Sequence, residues 1–408
     1  MNEFQTETLL IIICSVIVIS YVFSILSRYI KIPSVLLLLF SGMLLRIFTD
    51  AVDFHIQLPP KFIEILGVVG LIMIVLEAGL DLKLEKAKIP LIRNSFLSAL
   101  VLLLLSSAVL TAILFFMLHE PLVKCMVYAI PLSIMSSSIV LPSLHALTPA
   151  KKEFLVYEAS LSDILGILLF NFIATNQIIN TNAVFGFTTS LLLSVVLSLV
   201  LSFVLLFIMA KTKLDIKFFL VFALLILIYS GGKIMHLPSL IIILVFGLMI
   251  NNWEKIRIKY LTSIIAQDKV DEMRHLLHSI TAETSFLIRT FFFILFGYTI
   301  SLNFLIERDV VIVGGLMVLG LLLLRFLYLR FFLRTNLFPE VFFIPRGLIT
   351  IVLFYKIPDS FKLSSFNEGI LFFVIVATSL IMTLGMILYK KPMAEMVEDA
   401  HFVKDESM

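Results

Sequence analysis

The feature that most constrains this chain is a series of long apolar stretches, which runs almost from the first residue to the last. A helix needs about 20 apolar residues to cross the ~30 Å hydrocarbon core of a bilayer. Hydrophobic residues make up 61% of the 408 positions and charged residues 14%. Soluble domains are about half apolar and about a quarter charged. The sequence therefore predicts an all-α polytopic membrane protein.

Thirteen stretches are apolar enough to cross the bilayer within a helical bundle. They are residues 9–26, 34–47, 62–80, 96–118, 126–144, 158–174, 185–209, 218–234, 239–250, 286–300, 310–333, 341–354 and 371–389. We therefore expect about 13 transmembrane helices in a single transmembrane unit over residues 1–389. A short cytoplasmic tail, residues 390–408, follows the last span.

The basic residues between the spans predict an orientation. With the N-terminus outside, the inward loops and their edges hold 21 lysines and arginines, and the outward ones hold 6. Cytoplasmic loops carry the excess of positive charge, so this split favours one orientation only. We expect a multi-pass protein of the cell (inner) membrane with its N-terminus outside and its C-terminus cytoplasmic. The net charge of +3 is too small to suggest a nucleic-acid partner.

Two pairs of segments suggest an inverted repeat. In spans two and nine an apolar run follows proline, with Gly42 nine residues after Pro33 and Gly247 nine residues after Pro238. Residues 77–81 and 296–299 match at the ends of spans three and ten. Both pairs relate a span to the seventh one after it, and an odd offset turns the second copy upside down. Inverted repeats of about 1–174 and 218–389, joined by a linker span at 185–209, are typical of secondary transporters. Chance similarity of short apolar patterns is the alternative.

The same offset relates spans five and twelve, which proline and polar residues interrupt. Span five contains three serines followed by Pro142, and span twelve contains Pro345, Arg346 and Gly347. Proline removes a backbone donor, and the ends of a broken helix can face an ion. Two broken helices at matching positions of two repeats predict a substrate site in mid-membrane. The alternative is two ordinary proline kinks.

Charged residues inside the spans indicate what that site binds. Asp163 is roughly 16 Å deep, close to the middle of the membrane, and Ser138 reaches a similar depth. Glu158 and Arg325 are about 9 and 8 Å deep, so we expect them to form an ion pair. Asp163 then has no assigned cation, and a buried carboxylate gains from binding a proton or a hard cation. That competition predicts a cation/proton exchanger, with a carboxylate hydrogen-bonded between helices as the structural alternative.

Several motifs resemble one family in order and spacing. Residues 158–163, EASLSD, resemble the E-S-x-x-N-D motif of sodium/proton exchangers in the cation–proton antiporter superfamily. Further segments resemble its second span, its third-span signature, its first unwound helix, its membrane-embedded basic residue and its second broken helix. They are IPS at 32–34, LEAGLD at 76–81, SSIV at 137–140, LRF at 324–326 and PRG at 345–347.

The resemblance implies a core of six helices, with crossed broken spans, that moves against a dimerisation domain in a homodimer. It implies Asp163 as the carrier of cation and proton, with Ser162, Ser137 and Ser138 beside it and no cofactor. The family has asparagine or aspartate where this chain has Ser162, and threonine followed by aspartate around Ser138. These departures leave the choice among sodium, potassium and lithium open. Since Ser162 cannot hold an exchangeable proton near neutral pH, we expect electroneutral one-for-one exchange.

Two other functions remain open at this point. A sodium-coupled organic-anion symporter can share this architecture, but it needs a larger cavity and usually two sodium sites. A polytopic membrane enzyme, such as a lipid-linked transferase, needs catalytic acids, histidines or metal ligands grouped at one membrane face. The sequence shows one clear carboxylate in mid-membrane and no such group, so it favours the exchanger.

Overall fold

A computed structural model describes most of the chain, and every regular element in the described part is a helix. The described residues are 6–30, 32–51, 60–85, 88–176, 181–211, 218–235, 237–253, 267–299, 307–333 and 338–389. The predicted tail at 390–408 lies outside them. Among the described residues, eight helices are long and apolar enough to cross a membrane.

The α-helices are numbered here in chain order. They are α1 (Thr6–Ile30), α2 (Ser34–Ala51), α3 (Pro60–Asp81), α4 (Ile89–Leu118), α5 (Leu122–Ser133), α6 (Ser137–Val140), α7 (Pro149–Thr175), α8 (Thr181–Lys211), α9 (Phe218–Ile234), α10 (Ser239–Asn251), α11 (Gln267–Thr299), α12 (Arg308–Tyr328), α13 (Leu348–Tyr355) and α14 (Glu368–Leu388). Short 3₁₀ turns occupy Leu141–Ala146, Glu340–Phe342 and Asp359–Phe361, and one π turn occupies Leu329–Leu333.

The predicted spans coincide with these helices, one helix to a span, except in spans five and twelve. Those two are interrupted, so the prediction of an all-α polytopic fold with two broken helices is confirmed. The sequence placed the start of span ten at residue 286, whereas α11 begins at Gln267. The added turns are polar overall but bury Val270, Met273 and Leu277 along one face. This three-to-four-residue spacing forms a helix without a continuous apolar run.

The described helices form two compact units. The first unit contains α1, α2, α4 to α6, α7 up to Phe170, the end of α11 from Thr290, and α12 to α14. Within it, α2 and α11 pack backbone against backbone. A β-carbon at Gly42 would overlap the carbonyl group of Ile294, and one at Gly297 would overlap that of Leu39. Only glycine permits so close an approach of two helices.

The second unit contains α3, α8 to α10 and α11 up to Arg289. Its α3 and α10 also pack at glycines. A β-carbon at Gly79 would lie 2.8 Å from the carbonyl oxygen of Leu244, and one at Gly247 would lie 3.0 Å from that of Leu76. As at Gly42, a side chain would force the two helices apart.

The two glycine contacts are equivalent under the predicted offset of seven spans. The offset relates Gly42 to Gly247 and Gly79 to Gly297. The Gly42–Gly297 contact therefore maps onto the Gly247–Gly79 contact. An inverted repeat predicts such a pair of contacts, and the repeat itself stays a prediction.

Candidate functional site

The first interrupted helix breaks immediately before the three serines. Helix α5 ends at Ser133, residues 134–136 are extended, and α6 begins at Ser137. Pro131 lies in the last turn of α5 and has no N–H to continue the helical bonding, while its carbonyl accepts the N–H of Ile134. The sequence predicted Pro142 as part of the break, and the structure places it beyond α6, in the 3₁₀ turn at Leu141–Ala146.

The two interrupted helices cross at the point where the helical structure of each is broken. Residues 343–347 have no regular secondary structure and lie between a 3₁₀ turn and α13. The N–H of Ser136 donates to the carbonyl of Pro345 at 3.0 Å. A β-carbon at Gly347 would clash with the Ser136 hydroxyl, so the absence of a side chain allows the crossing. Pro345, Arg346 and Gly347 therefore lie at the crossing, as the sequence suggested.

Arg346 places a buried cation at the crossing. Its side chain is 3% exposed, and Nε donates to the carbonyl of Leu132 at 2.7 Å, while a terminal nitrogen donates to that of Ile344 at 2.8 Å. Its backbone N–H donates to the hydroxyl of Thr378. Leu132 belongs to the last turn of α5, where unpaired carbonyls make a helix end negative. The guanidinium thus neutralises the end of the first broken helix.

Asp163 lies against the start of α6, the helix that follows the first break. It lies on α7 and is 2% exposed, and its Oδ2 accepts the backbone N–H of Ser137 at 3.2 Å. Its Oδ1 is buried without a hydrogen-bond partner among the described residues. A β-carbon at Gly166, one turn along α7, would clash with Ile134, so glycine lets α7 approach the extended segment. A buried carboxylate oxygen without a donor is costly unless a proton or a cation binds it.

The neighbouring hydroxyls hold the extended segment in place. The Ser162 oxygen accepts the N–H of Met135 at 3.0 Å, and the hydroxyls of Ser136 and Ser138 are 2.9 Å apart. All of these side chains are buried. The predicted residues Ser137, Ser138, Ser162 and Asp163 are therefore gathered around one interruption of one helix.

Glu158 and Arg325 meet in a bidentate ion pair. The two guanidinium nitrogens lie 2.9 and 2.8 Å from the two carboxylate oxygens, and the side chains are 1% and 3% exposed. Nε of Arg325 donates to the carbonyl of Glu340 at 2.7 Å, and the hydroxyl of Ser98 donates to Glu158 Oε1. A buried pair is tolerated when such added hydrogen bonds satisfy both partners.

Sequence reasoning missed several of these supporting residues. Ser98 and Glu340 are two of them. The carboxylate of Glu340 also lies 3.4 Å from Nζ of Lys151 at the start of α7. Gly166 and Thr378 are the others. A signal existed for Ser98, because α4 is an apolar span in which several hydroxyl residues are buried. Glu340 could not be found in this way, since its contact to Arg325 uses only a backbone carbonyl.

With this geometry established, comparison with known proteins identifies the family. The sequence matches the profile described as "Sodium/hydrogen exchanger, transmembrane" over residues 14–390. The chain belongs to this sodium/hydrogen exchanger family. No curated protein matches the sequence at a significant level.

Solved structures share the fold of this exchanger. It is similar to the structure of the sodium proton antiporter MjNhaP1 from Methanocaldococcus jannaschii at pH 8, with a TM-score of 0.68 and 19% identity over 94% of this chain and 99% of that one. An electron-microscopy map of MjNhaP1 gives a TM-score of 0.67 and 19% identity, with 94% and 96% coverage. Membership of the exchanger family makes the protein a cation/proton antiporter, and the organic-anion symporter is not favoured.

Proposed function

We propose that this antiporter exchanges one sodium ion for one proton by alternating access, with Asp163 as the carrier. The observation that supports this most directly is the buried Oδ1 of Asp163, which has no donor among the described residues. A single carboxylate there binds either a proton or a cation, and the two compete. The rate of exchange should therefore fall at low pH, where protons occupy the carrier.

The groups beside Asp163 suit a small hard cation. Hydroxyl oxygens of Ser137, Ser138 and Ser162 are the candidate ligands, since oxygen ligands suit such ions. Sodium is the first candidate because of the family, and potassium and lithium remain to be compared. We further propose that the chain lies in the cell membrane with its N-terminus outside, and that it works as a homodimer without an enzymatic activity.

The test is transport by Asp163→Asn in proteoliposomes that contain a pH-sensitive dye. Pulses of sodium, potassium and lithium are added in turn to the wild type and to the variant. Asparagine keeps the size of the side chain but cannot carry a proton, so cation-driven proton flux should be lost while the protein still inserts. Asp309→Asn, an exposed change in the first turn of α12, is the matched control and should transport normally. Near-normal flux in Asp163→Asn would refute the assignment.

A further inference from the structure

A small cavity lined by both polar and apolar residues lies inside the first unit, and the site described above does not account for it. Its volume is about 20 Å³. The polar residues that line it are Ser106, Ser133, Glu158, Ser162, Arg325 and Arg346. A cavity needs about 10–15 Å³ of probe-occupied volume, and two to four polar partners, to hold one water molecule. The volume and the lining both meet this requirement.

Two lining residues have unused hydrogen-bonding capacity. The bond from Met135 N–H uses the oxygen of Ser162 as an acceptor, so the hydroxyl hydrogen still needs an acceptor. Among the described residues, Glu158 accepts Ser98 and one Arg325 nitrogen at Oε1, and only one Arg325 nitrogen at Oε2. A carboxylate has about four acceptor positions, so one remains open at Oε2.

The spacing of Ser162 and Glu158 suits a single bridging molecule. They are four residues apart on α7, and such side chains share one face with their β-carbons about 5–6 Å apart. Two consecutive hydrogen bonds of about 2.8 Å each span a distance similar to that between the two β-carbons. A water molecule can accept from one group and donate to the other.

We propose that the cavity binds one ordered water molecule that accepts the Ser162 hydroxyl and donates to Glu158. The water directs the Ser162 hydrogen into the cavity, which leaves a lone pair of the oxygen available to a cation. It also connects the Glu158–Arg325 pair to the residue next to Asp163. This role for Ser162 rests on the proposed function, whereas the presence of the water does not.

Radiolytic hydroxyl labelling tests the water directly, because an X-ray pulse splits a bound water and releases a hydroxyl radical, which oxidises the side chains next to it. Met135 lines the cavity and is 5% exposed, and Met382 is 0% exposed and lies outside the lining. In the wild type, Met135 should be oxidised several-fold faster than Met382. Equal, slow oxidation of the two would show a dry cavity and overturn the proposal.

Two substitutions on α4 provide a variant that fills the cavity and its matched control. Ala99 lines the cavity and is 2% exposed, so Ala99→Val should fill the space and reduce Met135 oxidation to the level of Met382. Ala108→Val adds the same two methyl groups at an exposed position of α4 and should leave Met135 oxidation unchanged. Oxidation of Met135 that persists in a folded Ala99→Val protein would contradict a water at this place.

Ser162→Val removes the hydroxyl and also fills part of the cavity, and it serves if Ala99→Val does not fold. Met135 oxidation should fall in this variant as well, because the water loses one of its two partners. Unchanged oxidation would rule out the bridge. Asp163 does not line the cavity, so Asp163→Asn should label like the wild type. If Met135 is labelled and the Asp163→Asn variant still transports, the water is retained and Asp163 is rejected as the carrier. If Met135 is not labelled and the variant loses transport, the water is rejected and Asp163 is retained as the carrier.

Discussion

At the level of single residues, the ion pair of Glu158 and Arg325 gives a clear prediction about the stability of the protein. Removing one partner leaves the other as an unpaired buried charge, which should destabilise the protein by about 3–5 kcal/mol. Removing both leaves no such charge. We therefore expect Glu158→Leu to lower the free energy of unfolding more than the double change Glu158→Leu with Arg325→Leu does, as measured by chemical denaturation in detergent. If the double variant were the less stable one, the unpaired Arg325 would carry no penalty, contrary to this account.

Ser162 should determine whether transport moves net charge. A serine cannot release a proton near neutral pH, so exchange at Asp163 alone should be one-for-one and produce no sustained current after a sodium jump on a solid-supported membrane. Ser162→Asp adds a second carboxylate and should produce a current, whereas Ser162→Ala should remain electroneutral. A sustained current in the wild type would point to a second titrating acid, with Glu77 on α3 as the first to test.

At the level of elements, the crossing of the two broken helices depends on one glycine. Gly347→Ala places a methyl group against the Ser136 hydroxyl, and such overpacking should cost about 1–3 kcal/mol. Gly315 on α12 has no atom within 4 Å of its β-carbon position. Gly315→Ala should therefore be neutral or stabilise by up to about 1 kcal/mol, as alanine does within helices. Thermal unfolding of both variants checks this, and equal midpoints would show that the crossing tolerates a side chain.

The two broken helices were visible in the sequence, but the way they cross was not. Runs of serine near proline, and proline followed by arginine and glycine, weaken a helix through local chemistry alone. The bond from Ser136 to Pro345 joins residues more than 200 positions apart, and only tertiary packing creates it. Arg346 also has one property that the sequence predicts and one that only tertiary packing creates. Its burial in a span follows from the sequence, whereas its contact with Leu132 at the end of α5 follows from the crossing.

At the level of the whole molecule, the charge of the loops predicts which ends lie in the cytoplasm. Single cysteines at Lys152 and Lys391, introduced after replacing Cys14 and Cys125, should both react with a membrane-impermeant thiol reagent only from the cytoplasmic side. Lys391 lies outside the described residues, so its position rests on the loop charges alone. A cysteine at Lys124 is the control and should react from outside. Reaction of positions 152 and 391 from opposite faces would refute the number of spans.

The sequence alone predicted a membrane protein, its helices and the depth of its charges, because each prediction depends on a cost that a residue incurs wherever it is buried in lipid. It therefore predicted the burial of Asp163 and the pairing of Glu158 with Arg325, since depth can be counted along a helix. The support from Ser98 and the close approach at Gly166 were decided by the tertiary structure. A serine or a glycine costs little in many places, so only the neighbour that packing brings to it determines its role.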